Sequence, residues 1–255
     1  MSDNNFLGMQ DTFISHLVEL RDRLVKACAG VAIICAALFA WPGPSAIYDF
    51  LAQPMIAALP AGSKMIATGV ISPFLVPMKV TLLLAFLLAL PWVLYQAWAF
   101  IAPGLYAHEK RLIAPLVISS SVLFAAGVAF CYFFVFGRVF KFIAEFAPTS
   151  ITVSPDIENY LDFIMSMCLA FGLTFEVPIV VIVLVRTGLL TVEKLKAIRS
   201  YVIVGAFIIA AIVTPPDVVS QLALAIPMWM LFELGLFVAP IFVKATQAPE
   251  SPSDS

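Results

Sequence analysis

The sequence predicts an all-α integral membrane protein with six transmembrane helices, and three observations predict it. Hydrophobic residues make up 62% of the 255 and charged residues only 12%, about half the roughly 25% typical of soluble domains. With a mean hydropathy of +1.05, the chain has too little polar surface to dissolve as a globule and needs lipid around it. Six apolar runs follow one another, and the basic residues are unevenly shared among the segments between them.

Ahead of the first run, Met9, Phe13, Leu17, Leu20 and Leu24 recur at helical spacing and form one apolar face. With Asp11 or Thr12 as its cap, this stretch predicts an amphipathic helix along the inner membrane surface, leading into span one. Residues 1–23 are therefore read as a cytoplasmic amphipathic segment, 24–243 as the six-helix membrane domain and 244–255 as a disordered cytoplasmic tail, its end rich in Ser and Pro.

The first span is predicted at Leu24–Trp41. It is retained, because bulky Leu38 makes Leu38-Phe39-Ala40 a poor cleavage site. Span two runs Phe74–Ile101, long enough to tilt. Span three runs Ile113–Phe136 and span four Leu161–Val185. Spans five, Tyr201–Val213, and six, Val218–Phe232, are short and are joined by the tight turn Thr214-Pro215-Pro216-Asp217. At 1.5 Å per residue each reaches only about 20 Å, against about 30 Å of hydrocarbon, so the pair must thin the bilayer or sit inside the protein. The loops Pro42–Pro73 and Gly137–Tyr160 mix apolar and polar residues and read as structured. Pro91, Pro115, Pro178 and Pro227 fall inside spans two, three, four and six. Prolines bend helices and favour a curved, concave molecule, although proline is also simply common in membrane helices.

Placing the N-terminus inside puts Arg21, Arg23, Lys26, Lys110, Arg111, Arg186, Lys194, Lys196, Arg199 and Lys244 inside, and Lys64, Lys79, Arg138 and Lys141 outside. That asymmetry predicts both termini in the cytoplasm. The net charge of −2 excludes a basic nucleic-acid binder. Cys28, Cys35, Cys131 and Cys168 lie in apolar runs with no C-x-x-C spacing, and His16 and His108 are far apart. Neither a metal site nor a disulfide framework is expected. There is no phosphate loop, nucleophile elbow, zinc motif or internal repeat.

Three carboxylates stand out. Glu176 is near the middle of span four, where a charge costs at least about 2.5–3.5 kcal/mol. Either it lines a polar groove or handles protons, or it is protonated and bonded to a carbonyl freed by Pro178. Glu19 suits helical pairing with Arg23, as Asp22 suits Lys26. Glu109 suits the first turn of span three through the helix dipole. Yet two carboxylates on the inner surface, beside apolar helix faces, would also suit a guest bearing paired guanidinium groups and an apolar tail.

Five stretches in order then point to a family: His16-Leu17-x-Glu19-Leu20-Arg21-x-Arg23-Leu24; Ser72-Pro73-Phe74 with Lys79; Trp98-x-Phe100-Ile101-x-Pro103-Gly104-Leu105 through Glu109-Lys110-Arg111; Phe171-Gly172-x-x-Phe175-Glu176-x-Pro178; and Thr214-Pro215-Pro216-Asp217. From Phe13 to Val243 the chain resembles TatC, the multispanning core subunit of the bacterial twin-arginine translocase. The resemblance implies a curved, glove-like set of six helices in the bacterial cytoplasmic (inner) membrane. It implies a signal-peptide receptor and transport core rather than an enzyme, with no cofactor. Its partners would be the single-span subunits TatB and TatA, further copies of itself, and twin-arginine signal peptides of folded cargo exported at the expense of the proton-motive force. The signal-peptide site maps onto Glu19, Glu109, Phe100 and Arg21, the embedded carboxylate onto Glu176, and partner contacts onto Thr214, Asp217 and Gln221. The competing class is a proton-coupled secondary transporter of a small solute with Glu176 as its relay. An intramembrane enzyme lacks a nucleophile–base pair.

Overall fold

The structure, a computed structural model, describes residues 3–59, 64–105, 113–146, 154–214 and 217–244. Among them all regular structure is helical, apart from one isolated β-bridge between Ile66 and Asp156. Four helical stretches are long and apolar enough to cross a membrane alone: Ile14–Ala40, Ala114–Ile143, Ile157–Arg186 and Val218–Ile241. A broken pair, Ser72–Leu88 with Leu90–Ile101, bent by 57°, and the shorter apolar helix Arg199–Val213 bring the candidates to the six that the sequence predicts. The chain forms two compact units, Met1–Phe50 with Pro77–Ser121, and Leu51–Val76 with Val122–Ser255.

The first unit is built on α1 (Asp3–Ala40) and α4 (Leu90–Leu105). The amphipathic stretch and span one are one continuous helix of 38 residues, so Asp11 and Thr12 lie inside it rather than at its start. Between Phe13 and Ala29 no proline or glycine interrupts the hydrogen-bond ladder, and the Glu19–Arg23 pair ties adjacent turns. The helix stops where Pro42 can no longer donate and Gly43, at φ 92°, turns the chain, its N–H returning to the Leu38 carbonyl at 3.1 Å.

Span two is broken between α3 (Ser72–Leu88) and α4, and Pro91 explains where. It has no N–H to give to the carbonyl four residues back. The ladder instead closes through Trp92 N–H and Val93 N–H, both onto the Ala89 carbonyl, at 2.9 and 3.0 Å. The other span prolines do not interrupt their helices. Pro115 falls in the first turn of α5 (Ile113–Phe130), where a missing N–H costs little. Both α7 (Ile157–Arg186) and α10 (Val218–Lys244) run on through theirs.

In the second unit α7 is the central helix, with buried residues on most of its circumference. Glycines set how closely its neighbours approach. A Cβ on Gly127 of α5 would stand 2.5 Å from the Phe171 carbonyl oxygen, and one on Gly172 would stand 2.3 Å from the Phe124 ring. On another side, a Cβ on Gly235 of α10 would stand 2.9 Å from Pro178 Cα. Such contacts replace the hydrophobic drive that lipid cannot supply. The chain of α5 continues through a π-helical turn, Cys131–Val135, into α6 (Phe136–Phe146). Span three thus runs beyond the predicted end at Phe136. Phe136 and Phe140 stack at 5.6 Å, and Phe140 meets Tyr160 of α7 at 5.5 Å.

Span six is not short, as the sequence had suggested. α10 continues to Lys244, past the predicted end at Phe232, with Glu233 paired to Arg199 of α9 (Arg199–Val213) at 2.6 Å. Only α9 is short. The two long loops are ordered in part, the first carrying α2 (Pro44–Ala58). They are tied together by the Ile66 bridge, with Ile66 N–H donating to the Pro155 carbonyl and Ile157 N–H to the Ile66 carbonyl, both at 2.9 Å. Thr68 donates to Asp156 from its hydroxyl at 2.7 Å and its backbone at 3.0 Å, and the Ser72 hydroxyl donates to Glu158 at 2.7 Å. Asp156 also caps α7, accepting from the N–H groups of Glu158 and Asn159.

The Thr68 hydroxyl, aided by these backbone N–H groups, holds the Asp156 carboxyl down to about 2, below its ordinary 3.8. A depressed carboxylate contributes stability that is complete above its ordinary value and is lost as pH falls through the folded one. Wild-type protein in detergent should therefore lose melting temperature between about pH 4 and pH 2. Asp156→Asn should be less stable at neutral pH and show a flatter melting profile across that window. Superimposable acid profiles would refute the assignment.

Candidate functional site

In the first unit, the candidate residues gather along the seam between α1 and α4. His16 lies on Phe100 with ring centroids 4.3 Å apart and planes 21° apart. Glu19 is one helical turn beyond His16, so the carboxylate and the ring stack share a side of α1. Arg23 grips Glu19 with two donors, Nε at 2.9 Å and Nη2 at 2.7 Å, both onto Oε1. Oε2 takes no hydrogen bond among the described residues. The helical pairing and the acceptor role are thus compatible, since the same arginine that satisfies one oxygen holds the other in a fixed position. The Glu19 side chain is 37% exposed and Arg23 24%, so the pair is partly screened.

Arg21 points elsewhere. Its side chain is 71% exposed and bonds its neighbour Asp22 at 2.8 Å, so the expected Asp22–Lys26 pair gives way to an adjacent one. Glu109, the other expected carboxylate, lies outside the described residues, as do Pro215, Pro216 and the polar tail.

In the second unit, Glu176 is 8% exposed in α7, next to the point where Gly235 of α10 closes on Pro178. Thr214, Asp217 and Gln221 are together at the turn between α9 and α10, but their polar groups are mostly committed internally. The Thr214 hydroxyl donates to the Ala210 carbonyl at 2.8 Å, and Gln221 Nε2 donates to the Phe207 carbonyl at 3.3 Å. Asp217 caps α10, its Oδ1 accepting from Ser220 N–H at 2.7 Å. The buried atoms Asp217 Oδ2 and Ser220 Oγ have no hydrogen-bond partner among the described residues.

Sequence reasoning missed three features. Trp92 packs on Gly30 and bonds to α1, and no periodicity marks such a contact. The continuation of span six past its predicted end at Phe232 was missed, because Glu233, the next residue, has its partner Arg199 34 residues away in sequence. The loop clasp at Asp156 did have a signal, an Asp directly before a periodic apolar run with Glu158 following, which is helix N-cap chemistry. No cluster of metal-ligating side chains occurs among the described residues.

The family model for Sec-independent protein translocase protein (TatC) matches residues 15–227. A Sec-independent protein translocase protein TatC of Haemophilus influenzae is 50% identical over 229 residues, covering 90% of this chain and 89% of that one. The protein of the same name from Escherichia coli K12 is 47% identical, covering 93% and 92%. A relative of that name from Halothiobacillus neapolitanus is 50% identical across 92% of this chain, which spans 64% of that longer protein. A crystal structure of a twin-arginine translocase receptor TatC superposes with a TM-score of 0.77 at 36% identity, covering 89% of this chain and 98% of that one. The small-solute transporter alternative finds no support among these relatives. With its motifs, its apolar helices and the fold of that solved receptor all in agreement, the chain belongs to the TatC family of Sec-independent protein translocase proteins, as a multi-pass membrane subunit.

Proposed function

We propose that this protein receives twin-arginine signal peptides at the α1–α4 seam and forms the core of a translocase that exports folded proteins across the bacterial cytoplasmic membrane, using the proton-motive force. The observation that carries this is Glu19, an acceptor braced by Arg23 one turn from an apolar ring stack. A guanidinium pair needs a fixed carboxylate surface and the apolar part of the peptide needs an adjoining apolar face. Glu109 is proposed as the second acceptor, and Phe100 and Arg21 as further residues of the site. The ten-to-four basic asymmetry supports a cytoplasmic placement of this end and of both termini. A charged hydrogen bond is worth about 1.5–3 kcal/mol, so Glu19→Ala and Glu109→Ala should each weaken signal-peptide binding about tenfold to a hundredfold, with all six spans still inserted. Equal affinity in wild type and the double variant would eliminate the site.

The face of α9 is proposed to dock a single-span partner, TatB or TatA. At 15 residues α9 reaches about 22 Å against about 30 Å of hydrocarbon, and Ile212 is 78% exposed. The Asp217–Ser220 turn leaves polar atoms that a neighbouring helix or water can satisfy, while Thr214 and Gln221 keep the turn closed. Photocrosslinkers at the exposed Val204, Ile208 or Ile212 should capture that partner. Capture only from α1 or α5 would place the partner elsewhere.

Glu176 is proposed to serve transport through its titratable charge. Glu176→Gln keeps the shape and should reduce export at normal protein levels, whereas Glu176→Leu removes an expensive group and should be at least as stable in the membrane. Unimpaired export by both variants would leave it a structural role only.

A further inference from the structure

α4 begins at a break in span two, and a helix that starts at an elbow is free to swing unless something holds it near the fulcrum. Trp92 stands in the first turn of α4, three residues past Ala89. Its indole lies directly over Gly30 of α1. A Cβ there would be 2.4 Å from Trp92 Cδ1 and 2.8 Å from Nε1, so the seat exists only because residue 30 has no side chain. The indole N–H donates to the Lys26 carbonyl at 2.9 Å, the same carbonyl that α-helical geometry pairs with Gly30 N–H. His16, Arg23, Ala27 and Gly30 fall at helical spacing on one stripe of α1. One end of that stripe bears the Trp92 seat, and the other bears the His16–Phe100 stack.

Eight residues separate Trp92 from Phe100, a lever of about 12 Å. A tilt of about 10° at Trp92 would carry Phe100 by roughly 2 Å, more than the ~0.5 Å that a preorganised site tolerates. We infer that Trp92 is a positioning residue for signal-peptide recognition: seated on Gly30 and bonded to Lys26, it pins the elbow of the broken span to α1 and so holds Phe100 against His16 beside Glu19. This rests on the recognition reading above. The half-exposed indole also meets Tyr95 at 5.9 Å.

The test uses the full-length protein in lipid nanodiscs with a synthetic twin-arginine signal peptide. It has two readouts: peptide affinity, and the spin-label distance between exposed positions Ile14 and Ile101. Gly30→Ala drives a methyl into the indole and should lower affinity about tenfold while broadening the distance distribution. Trp92→Phe loses both the N–H and the five-membered ring that lies over Gly30 and should lower affinity at least about threefold. It carries the test if Gly30→Ala does not fold. With Trp92→Val already in place, Gly30→Ala meets no indole and should cause no further loss of affinity and no further broadening, a non-additivity that general destabilisation does not produce. Wild-type binding with unchanged affinity and distances in both single variants overturns the positioning role and leaves the recognition reading intact. A wild type that binds no peptide overturns the recognition reading, and the distance readout alone then decides whether Trp92 pins the elbow.

Discussion

Hydrocarbon offers no water to a polar group, so every hydroxyl, amide and indole within the spans must find its partner inside the chain. This constraint shapes the whole molecule. Ser119 and Ser121 return their hydroxyls to the Leu116 and Val117 carbonyls, and Thr81 returns its own to Pro77. Ser120, facing inward, takes the Trp98 indole at 3.0 Å. The Ser119-Ser120-Ser121 cluster is therefore tied to its own helix and to one neighbour. Among the described residues, the buried Asp217 Oδ2 and Ser220 Oγ have no hydrogen-bond partner.

The same solvent removes the usual drive for helix association, because lipid tails are as apolar as leucine. What remains is dispersion at short range, and this falls off steeply with any gap. Glycine is the residue that permits short range, and Gly30, Gly127, Gly172 and Gly235 all stand where a methyl would collide with the facing helix. None of them forms a Gly-x-x-x-Gly pair. Each admits one large group of the partner: an indole, a backbone carbonyl, a phenyl ring or a proline. Close approach is one-to-one, and within the second unit α7 meets α5 on one side and α10 on another.

The sequence disclosed helix class, span number and the family, since these depend on composition, period and local motifs, whereas proline alone did not separate span two, which breaks at Pro91, from the spans that run on through theirs. It was less reliable where partners are distant. The predicted end of span six, Phe232, stops one residue before Glu233, whose counter-ion Arg199 is remote in sequence, and without that partner a charge in an apolar run does mark a boundary. The amphipathic N-terminal stretch was expected to lead into span one, and the two form one helix; where the helix leaves the membrane surface is not written in its periodicity. Within the candidate site, Glu19 and its pairing with Arg23 were legible from i,i+4 spacing. The His16–Phe100 stack and the Trp92 seat were not, because each joins residues more than sixty positions apart, and a single sequence carries no record of such contacts.

The Glu19–Arg23 pair raises a question of magnitude. A carboxylate already satisfied by its own helix would seem a poor receptor for another guanidinium. Exposed ion pairs contribute only about 0–1 kcal/mol, however, because water screens them and two side chains must be held still. Hydrogen bonds to a charged group that a guest brings into a shielded seam are worth about 1.5–3 kcal/mol each. The internal pair is therefore weaker than the bond it would compete with. Both Arg23 donors go to Oε1, so the guest need not break the pair to reach Oε2. What the pair contributes is order. A lone glutamate on a helix surface samples several rotamers, and fixing it costs entropy when a ligand arrives. Arg23 has met that cost beforehand. The arrangement trades some electrostatic attraction, since Arg23 repels an incoming cation, for a carboxylate already in place, and salt should weaken both terms together because both lie in partly screened surroundings.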